Sequence, residues 1–94
     1  MPKYTNDMIA GYILYFTSKC IIEAMHVHAS DKELSEVDSA KIFVYENGDT
    51  KVERQGSVND LDMKRIQKYI KLNYKVMYKK WEKYSDNGFY TKAK

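Results

Sequence analysis

The stretch AKIFVYENGDTKVERQGSVNDLDMKRIQKYIKLNYKVMYKKWEKY, residues 40–84, changes its hydrophobic period near its middle. Its first part has runs of β-branched and aromatic residues on either side of Asn47-Gly48. This dipeptide favours a two-residue type I′ turn, because both positions of that turn need positive φ. From residue 58 onward, apolar residues recur at intervals of three or four, which is the spacing of one helical face. The stretch therefore predicts a β-hairpin over residues 40–56 and then a long helix.

The predicted turn fixes which residues of the hairpin oppose each other. Neither face of the hairpin is then uniformly apolar, so the pattern does not decide which face is core. A β-bulge, or a second contact surface on the sheet, would account for the mixed pattern. The expected cross-strand pairs are Lys41 with Arg54, Ile42 with Glu53, Phe43 with Val52, and Val44 with Lys51.

The helix is predicted over residues 58–85, with Asn59 as its N-cap and Asn87-Gly88 as its stop signal. Its apolar stripe is expected to pack on the sheet, with Ile70 and Trp81 buried. About 25 residues at 1.5 Å each span roughly 38 Å. Because one small sheet does not cover that length, we expect either a kink or a C-terminal part that packs on a partner. The stripe comprises Met63, Ile66, Ile70, Tyr74, Met77, Trp81 and Tyr84.

Two strand segments precede the hairpin. The segment IAGYILYFTS, residues 9–18, has apolar residues at both odd- and even-numbered positions, so both faces of the strand would be apolar. This predicts a central rather than an edge strand. MHVHAS, residues 25–30, alternates, which predicts a core face formed by Met25, Val27 and Ala29.

These segments predict one α+β domain over residues 1–94, in which a small antiparallel sheet of about four strands carries one long C-terminal helix packed across it. Residues 9–56 are expected to form the sheet and residues 58–85 the helix. Residues 1–8 are predicted to form an N-terminal arm, and residues 86–94 a flexible tail with little to hold it.

His26 and His28 lie two positions apart on a predicted strand, so both side chains point away from its core face. They are either a polar, half-exposed strand face or a general acid–base pair that acts on RNA without a metal. A metal site would need a third ligand, and the chain has no other histidine. We expect no metal and no cofactor. We hypothesise that His26, His28 and Arg54 form a polar surface that binds a partner or an anion.

Charge is distributed unevenly along the chain. Residues 1–63 carry 6 basic and 11 acidic side chains, a net −5, whereas residues 64–94 carry 10 basic and 2 acidic, a net +8. The basic helix face is either a solvated surface or an RNA- or DNA-binding site that follows a phosphate backbone. The candidate binding residues are Lys64, Arg65, Lys68, Lys71, Lys75 and Lys79.

Composition excludes several classes of protein. The single cysteine, Cys20, excludes a disulfide framework and a cysteine-rich zinc site. The first residues have no secretory-signal pattern. The longest apolar run, IAGYILYF, has 8 residues, whereas a membrane span needs about 20. We therefore expect a cytoplasmic protein that does not enter a membrane.

The chain resembles a small bacterial family, domain of unknown function 4160. The shared features are the opening Met1-Pro2, the strand GYILYF, the motif HVH at residues 26–28, the hairpin AKIFVYENGDTKV, and a long helix that ends near Trp81. Family members usually carry Pro-Pro where this chain has Ala24-Met25. The resemblance implies a small cytoplasmic bacterial protein without an established activity. Such proteins often look like half of a two-gene toxin–antitoxin pair, encoded beside another small protein.

Three functions from different classes follow. The resemblance favours a protein-interaction component of a toxin–antitoxin type pair, whose partner is the neighbouring gene product. The alternatives are a metal-independent ribonuclease that uses the histidine pair, and RNA or DNA binding through the basic helix face. A homo-oligomer is compatible with each of them. The sequence leaves catalytic activity, substrate and partner undecided.

Overall fold

The chain forms an antiparallel sheet of four strands followed by a long helix, which confirms the predicted α+β class. The computed structural model describes residues 3–17, 23–31 and 39–91. The elements are β1 (Ile13–Tyr15), β2 (His26–Ser30), β3 (Ala40–Val44), β4 (Thr50–Arg54) and α1 (Asp60–Glu82). The strands lie in the sheet in chain order, β1-β2-β3-β4.

One face of the sheet packs against α1. Val27 and Ala29 of β2 belong to the same buried cluster as the helix, as their alternation with the histidines predicted. Ile70 and Trp81 are both 0% exposed, so the prediction that they are core residues is confirmed. The buried residues of α1 are Met63, Ile66, Ile70, Met77 and Trp81.

Both ends of α1 are fixed by contacts within the chain. The Asn59 side chain accepts a hydrogen bond from the Asp62 N–H at 2.8 Å, which confirms the predicted N-cap. Near the other end, Met77 and Trp81 are buried, and Trp81 Nε1 donates to Asn87 O at 2.7 Å. The buried side of the C-terminal part of the helix therefore packs on its own chain.

β1 lies at the edge of the sheet, so the prediction of a central strand is wrong. The N-terminal arm covers its outer side: Lys3 bridges Tyr15, and the Tyr4 N–H donates to Leu14 O at 2.9 Å. Leu14 and Tyr15 point to opposite faces of the sheet, yet both are 0% exposed. Because both faces of this edge strand are buried, it has apolar residues at both odd- and even-numbered positions, as a central strand does.

A two-residue turn at Ala10-Gly11 joins the arm to β1, inside the segment predicted as continuous strand. Ile9 and Tyr12 exchange backbone hydrogen bonds of 2.8 and 2.9 Å, and the φ angles are 54° at Ala10 and 86° at Gly11. Positive φ at both central residues is the type I′ geometry. Alanine carries no turn signal and is disfavoured at positive φ, so the apolar pattern concealed this turn.

The β3–β4 hairpin has a three-residue loop, residues 46–48, closed by the backbone of Tyr45 and Asp49, so the predicted two-residue turn is wrong. The Tyr45 N–H donates to Asp49 O at 2.8 Å, and the Gly48 N–H donates to Tyr45 O at 2.9 Å. Gly48 has a φ of 88°, whereas Asn47 is not among the residues with positive φ. The Asn47 side chain instead accepts the Asp49 N–H at 2.9 Å, which favours a type I turn followed by a left-handed glycine.

The longer loop shifts three cross-strand pairs by one residue, so those three predicted pairs are wrong. Between Ile42 and Lys41 the register shifts back by one residue, because β4 contains one extra residue opposite this step. The predicted pairing of Lys41 with Arg54 is therefore confirmed. Ile42 and Val44 join the core cluster, which settles the core face of the hairpin. The shifted pairs are Ile42 with Val52, Phe43 with Lys51, and Val44 with Thr50.

Gly11 and Gly48 both have positive φ. Replacing each of them with alanine therefore gives a matched test of how closely the β3–β4 hairpin packs on α1. A Cβ on Gly11 would meet nothing within 4 Å, whereas a Cβ on Gly48 would lie 2.6 Å from Cδ1 of Tyr74. We expect Gly11→Ala to lower the free energy of unfolding by about 1–2 kcal/mol through backbone strain. Gly48→Ala should lower it by about 2–3 kcal/mol, because overpacking against the Tyr74 ring adds to the strain. Equal losses in urea unfolding would contradict the close approach of Gly48 to the helix.

The segment after α1 is held against the sheet. The Met25 N–H donates to Gly88 O, and the Tyr90 N–H donates to Val44 O, both at 2.9 Å. The expectation of a tail with little to hold it is therefore wrong as far as Tyr90. Cys20 lies outside the described residues.

Candidate functional site

The two histidines of β2 are buried. The His28 side chain lies on the sheet face opposite α1, because Val27 and Ala29 occupy the helix-facing positions. His26, at the first position of β2, also contacts Trp81 of α1. His26 is 0% exposed and His28 is 3% exposed. The expectation of a half-exposed face, open to water or to a partner, is therefore wrong.

Aromatic rings pack around both imidazoles. The Tyr15 ring stacks on His28 with its centroid 5.5 Å away, and the Phe43 ring meets His26 edge-on, also at 5.5 Å. The two imidazole centroids are 5.2 Å apart, and His26 lies 5.6 Å from Trp81. These contacts account for the burial of the pair and hold both rings in place.

A row of four polar side chains crosses the sheet at the level of His28. Tyr15, His28, Lys41 and Arg54 are successive cross-strand partners from β1 to β4. With strands about 4.8 Å apart, the row spans roughly 14 Å. Tyr15 and His28 are buried, the Lys41 side chain is 18% exposed, and Arg54 is exposed. We call this set the polar row. It brings Arg54 to the same face as His28, as hypothesised from the sequence.

Ser39 forms hydrogen bonds with both Arg54 and His28. Arg54 Nε donates to Ser39 O at 3.0 Å, and a hydrogen bond of 3.2 Å joins Ser39 Oγ and His28 Nδ1. Ser39 itself is 0% exposed. A buried serine therefore fixes the positions of His28 and Arg54 relative to each other. His26 has a different contact, because its Nδ1 donates to Ala24 O at 2.8 Å.

Glu23 neutralises the lysine of the polar row. Lys41 Nζ donates to both carboxylate oxygens of Glu23, at 3.0 and 2.9 Å. The hydrogen bond from Lys41 lowers the pKa of the Glu23 carboxyl from its usual value, against a smaller opposing effect of burial. Glu23 is therefore ionised at neutral pH, and it holds the Lys41 ammonium group in place.

Sequence reasoning missed Tyr15, Ser39, Lys41 and Glu23 as members of this site. They are brought together by pairing between strands that are distant in the chain, which no local pattern reveals. The predicted pairing of Lys41 with Arg54 was the one available signal, because it places two cations side by side.

The basic residues of α1 lie on the other side of the molecule from the polar row, because α1 covers the opposite face of the sheet. Three exposed aliphatic side chains, which sequence reasoning missed, lie among them: Leu61 is 60% exposed, Leu72 73% and Val76 60%. At 3.6 residues per turn, these residues and their basic neighbours share about one third of the helix circumference. This outward face of α1 consists of Leu61, Lys64, Arg65, Lys68, Leu72, Lys75, Val76 and Lys79.

Lys71 differs from the other five predicted binding residues. Its Nζ donates to Asn47 O and to Asp49 Oδ1, both at 2.9 Å, and thereby holds the hairpin loop on the helix. An open groove of about 600 Å³ lies beside it, between that loop and α1. Lys64, Lys68 and Lys79 form no ion pair with any residue in the part of the chain that the structure describes. The outward face thus carries charge that contacts within the described chain do not neutralise.

The described residues contain neither a group placed to form a metal site nor a helix suited to span a membrane. Over residues 3–17, 23–31 and 39–91, no group of three or more His, Cys, Asp or Glu side chains is placed to hold a metal ion. In the same part of the chain, no helix has both the length and the apolar character needed to cross a membrane.

Comparison with known proteins places the chain in a family. The model of the family described as Domain of unknown function (DUF4160) matches residues 11–82. No curated protein and no solved structure matches the chain. Because the family model spans well over half of the sequence, the chain belongs to the DUF4160 family.

Proposed function

We propose that this chain is a protein-interaction component of a two-gene toxin–antitoxin type pair, and that its partner binds the outward face of α1. The resemblance described above supports the gene pair, because such family members are often encoded beside another small protein. The composition of the outward face supports the binding surface. The partner we expect is a small protein whose contact surface combines acidic and apolar side chains.

The exposed aliphatic side chains of α1 are the observation that carries this proposal. Leu72 and Val76 are one helical turn apart and are 73% and 60% exposed, and Leu61 adds a third exposed side chain. Single exposed aliphatic residues are common on protein surfaces, but a group of them within a polar rim is typical of a protein interface.

Charge restricts the chemistry of the partner. The outward face contains five cations, of which only Arg65 approaches a carboxylate of the described chain, that of Asp62 at 3.9 Å. A partner with acidic side chains around an apolar strip would match both features. Such complementarity speeds association and disfavours basic partners.

The proposal is tested with the product of the neighbouring gene. We expect the two purified proteins to form a complex that elutes together in size-exclusion chromatography and gives a saturable calorimetric signal. In the bacterial host, expression of one gene alone should slow growth, and co-expression should restore it. Two proteins that elute separately, together with growth that does not depend on either gene, would contradict the proposal.

Nucleic-acid binding by the same face is the second candidate, because its cations are exposed along several helical turns. If RNA or DNA binds there, each phosphate contact should add close to one unit to the slope of log affinity against log salt concentration. Binding that does not depend on salt would exclude this face as a phosphate-binding surface. The ribonuclease alternative has less support, because RNA would have to reach His26 and His28, which are buried.

A further inference from the structure

The two edges of the sheet differ in how the chain treats them. At β1, the Tyr4 N–H donates to Leu14 O at 2.9 Å, so the N-terminal arm lies along the outer side of that strand. β4 is the opposite edge, and within the part of the chain that the structure describes its only sheet partner is β3. The open groove between the hairpin loop and α1 reaches Thr50 at this edge. An uncovered edge strand is a template on which another strand can pair.

The backbone of Val44 shows which groups of β4 point outward. The Val44 N–H donates to Met25 O, and Val44 O accepts from the Tyr90 N–H, so both groups point away from β4. Thr50, the cross-strand partner of Val44, therefore directs its own N–H and C=O away from β3. This direction alternates along a strand, so the N–H and C=O of Val52 point outward as well. The edge thus offers the backbone groups of Thr50 and Val52.

Opposite charges lie on either side of Val52. Lys51 and Glu53 are both exposed. Lys51 Nζ donates to the Tyr90 hydroxyl at 3.3 Å, and because that hydroxyl is uncharged the contact leaves the lysine charge unneutralised. Neither Lys51 nor Glu53 forms an ion pair with any residue that the structure describes. A copy of β4 that runs antiparallel to the first would therefore place a carboxylate opposite each ammonium group.

We propose that two copies of this chain associate edge to edge through β4, about a two-fold axis at Val52. The two Val52 residues then exchange both of their N–H···O bonds, because these groups already point outward. On each side of the axis, Lys51 faces Glu53 of the second copy in a non-hydrogen-bonded pair, where Cα atoms are about 4.5 Å apart and side chains are closest. Opposite charges in such positions stabilise a sheet. The dimer joins the two four-stranded sheets into one.

Charge also selects this register. Moving the axis by one residue would place Lys51 opposite Lys51 of the second copy, or Glu53 opposite Glu53, and like charges directly opposite each other are destabilising. Charged side chains and bulges on an edge strand oppose indiscriminate pairing. β4 has both, so we expect it to pair only with a strand of matching charge. The interface lies apart from the outward face of α1, so the dimer does not depend on the proposed protein partner.

Reversal and exchange of the two charges test the dimer in sedimentation equilibrium of the full chain at low salt. Lys51→Glu and Glu53→Lys should each weaken association by roughly tenfold or more, because each variant creates two like-charge pairs across the axis. The combined variant Lys51→Glu, Glu53→Lys should restore the affinity, because opposite charges then meet again. Lys83→Glu is the control, since it reverses an exposed charge at the end of α1 and should associate as the unchanged protein does.

An isotope-filtered NOE experiment on a mixture of labelled and unlabelled chains tests the register in the unchanged protein. We expect a contact between the Hα of Lys51 and the Hα of Glu53 in the second copy, because these protons face each other in a non-hydrogen-bonded pair. A chain that stays monomeric at millimolar concentration would overturn the proposal. So would a dimer that lacks this contact, ignores either single reversal, or is not restored by the combined variant. None of these outcomes bears on the outward face of α1, which is tested with the neighbouring gene product.

Discussion

Trp81→Ala should lower the free energy of unfolding by about 3–5 kcal/mol, the usual loss for truncation of a buried aromatic side chain. Trp81 is 0% exposed, its ring lies 5.1 Å from that of Phe16, and its Nε1 donates to Asn87 O. A domain of this length has a total stability of roughly 5–14 kcal/mol. The substitution would therefore leave a partly or largely unfolded protein, because it detaches the end of α1 from both the sheet and the C-terminal segment.

Far-UV circular dichroism during urea unfolding measures this loss, since Trp81 is the only tryptophan and its fluorescence disappears with it. Leu72→Ala is the matched control on the same helix, where a side chain that is 73% exposed should change stability by about 0.5 kcal/mol or less. Trp81→Phe should fall between the two, because the ring contacts are kept while the Nε1 hydrogen bond is lost. Losses below about 1 kcal/mol for Trp81→Ala would mean that the helix is not anchored at this end.

Leu72→Asp should weaken binding of the neighbouring gene product by at least roughly 100-fold, the effect of losing an interface hot spot. Leu72 is the most exposed aliphatic residue of the outward face and lies near its middle. The new carboxylate would remove apolar contact area and repel the acidic surface that we expect on the partner. Isothermal titration calorimetry measures the change in affinity.

Met8→Asp is the matched control, because Met8 is 53% exposed but lies in the N-terminal arm rather than on α1. It should leave the affinity unchanged. Both variants should keep stabilities close to that of the unchanged protein, so a loss of binding cannot be attributed to unfolding. Equal effects of the two substitutions would place the interface elsewhere.

The helix and its buried side were predictable because they depend on local periodicity. The stripe that contains Ile70 and Trp81 needs only the 3.6-residue repeat, and the capping role of Asn59 needs only its position before the repeat. The alternation of β2 likewise placed Val27 on the helix-facing side. These features were correct because each one is decided within a few residues of sequence.

The remaining features depend on contacts between distant segments. The burial of His28 follows from the packing of its neighbours, including Tyr15 from another strand. The turn at Ala10-Gly11 uses an alanine at positive φ, which the tertiary fold imposes against local preference. The bulge that brings Arg54 opposite Lys41 compensates for a hairpin loop one residue longer than the sequence indicated. No local pattern contains this information.

An NMR titration of the isotope-labelled chain with the product of the neighbouring gene tests the central claim most directly. If the partner binds the outward face of α1, the largest shifts of backbone amide signals should fall on the residues from Leu61 to Lys79 that point away from the sheet. The β2–β4 amides near His28 should move little. Saturable binding with its largest shifts on the sheet, or no change in any signal, would contradict the proposed interface.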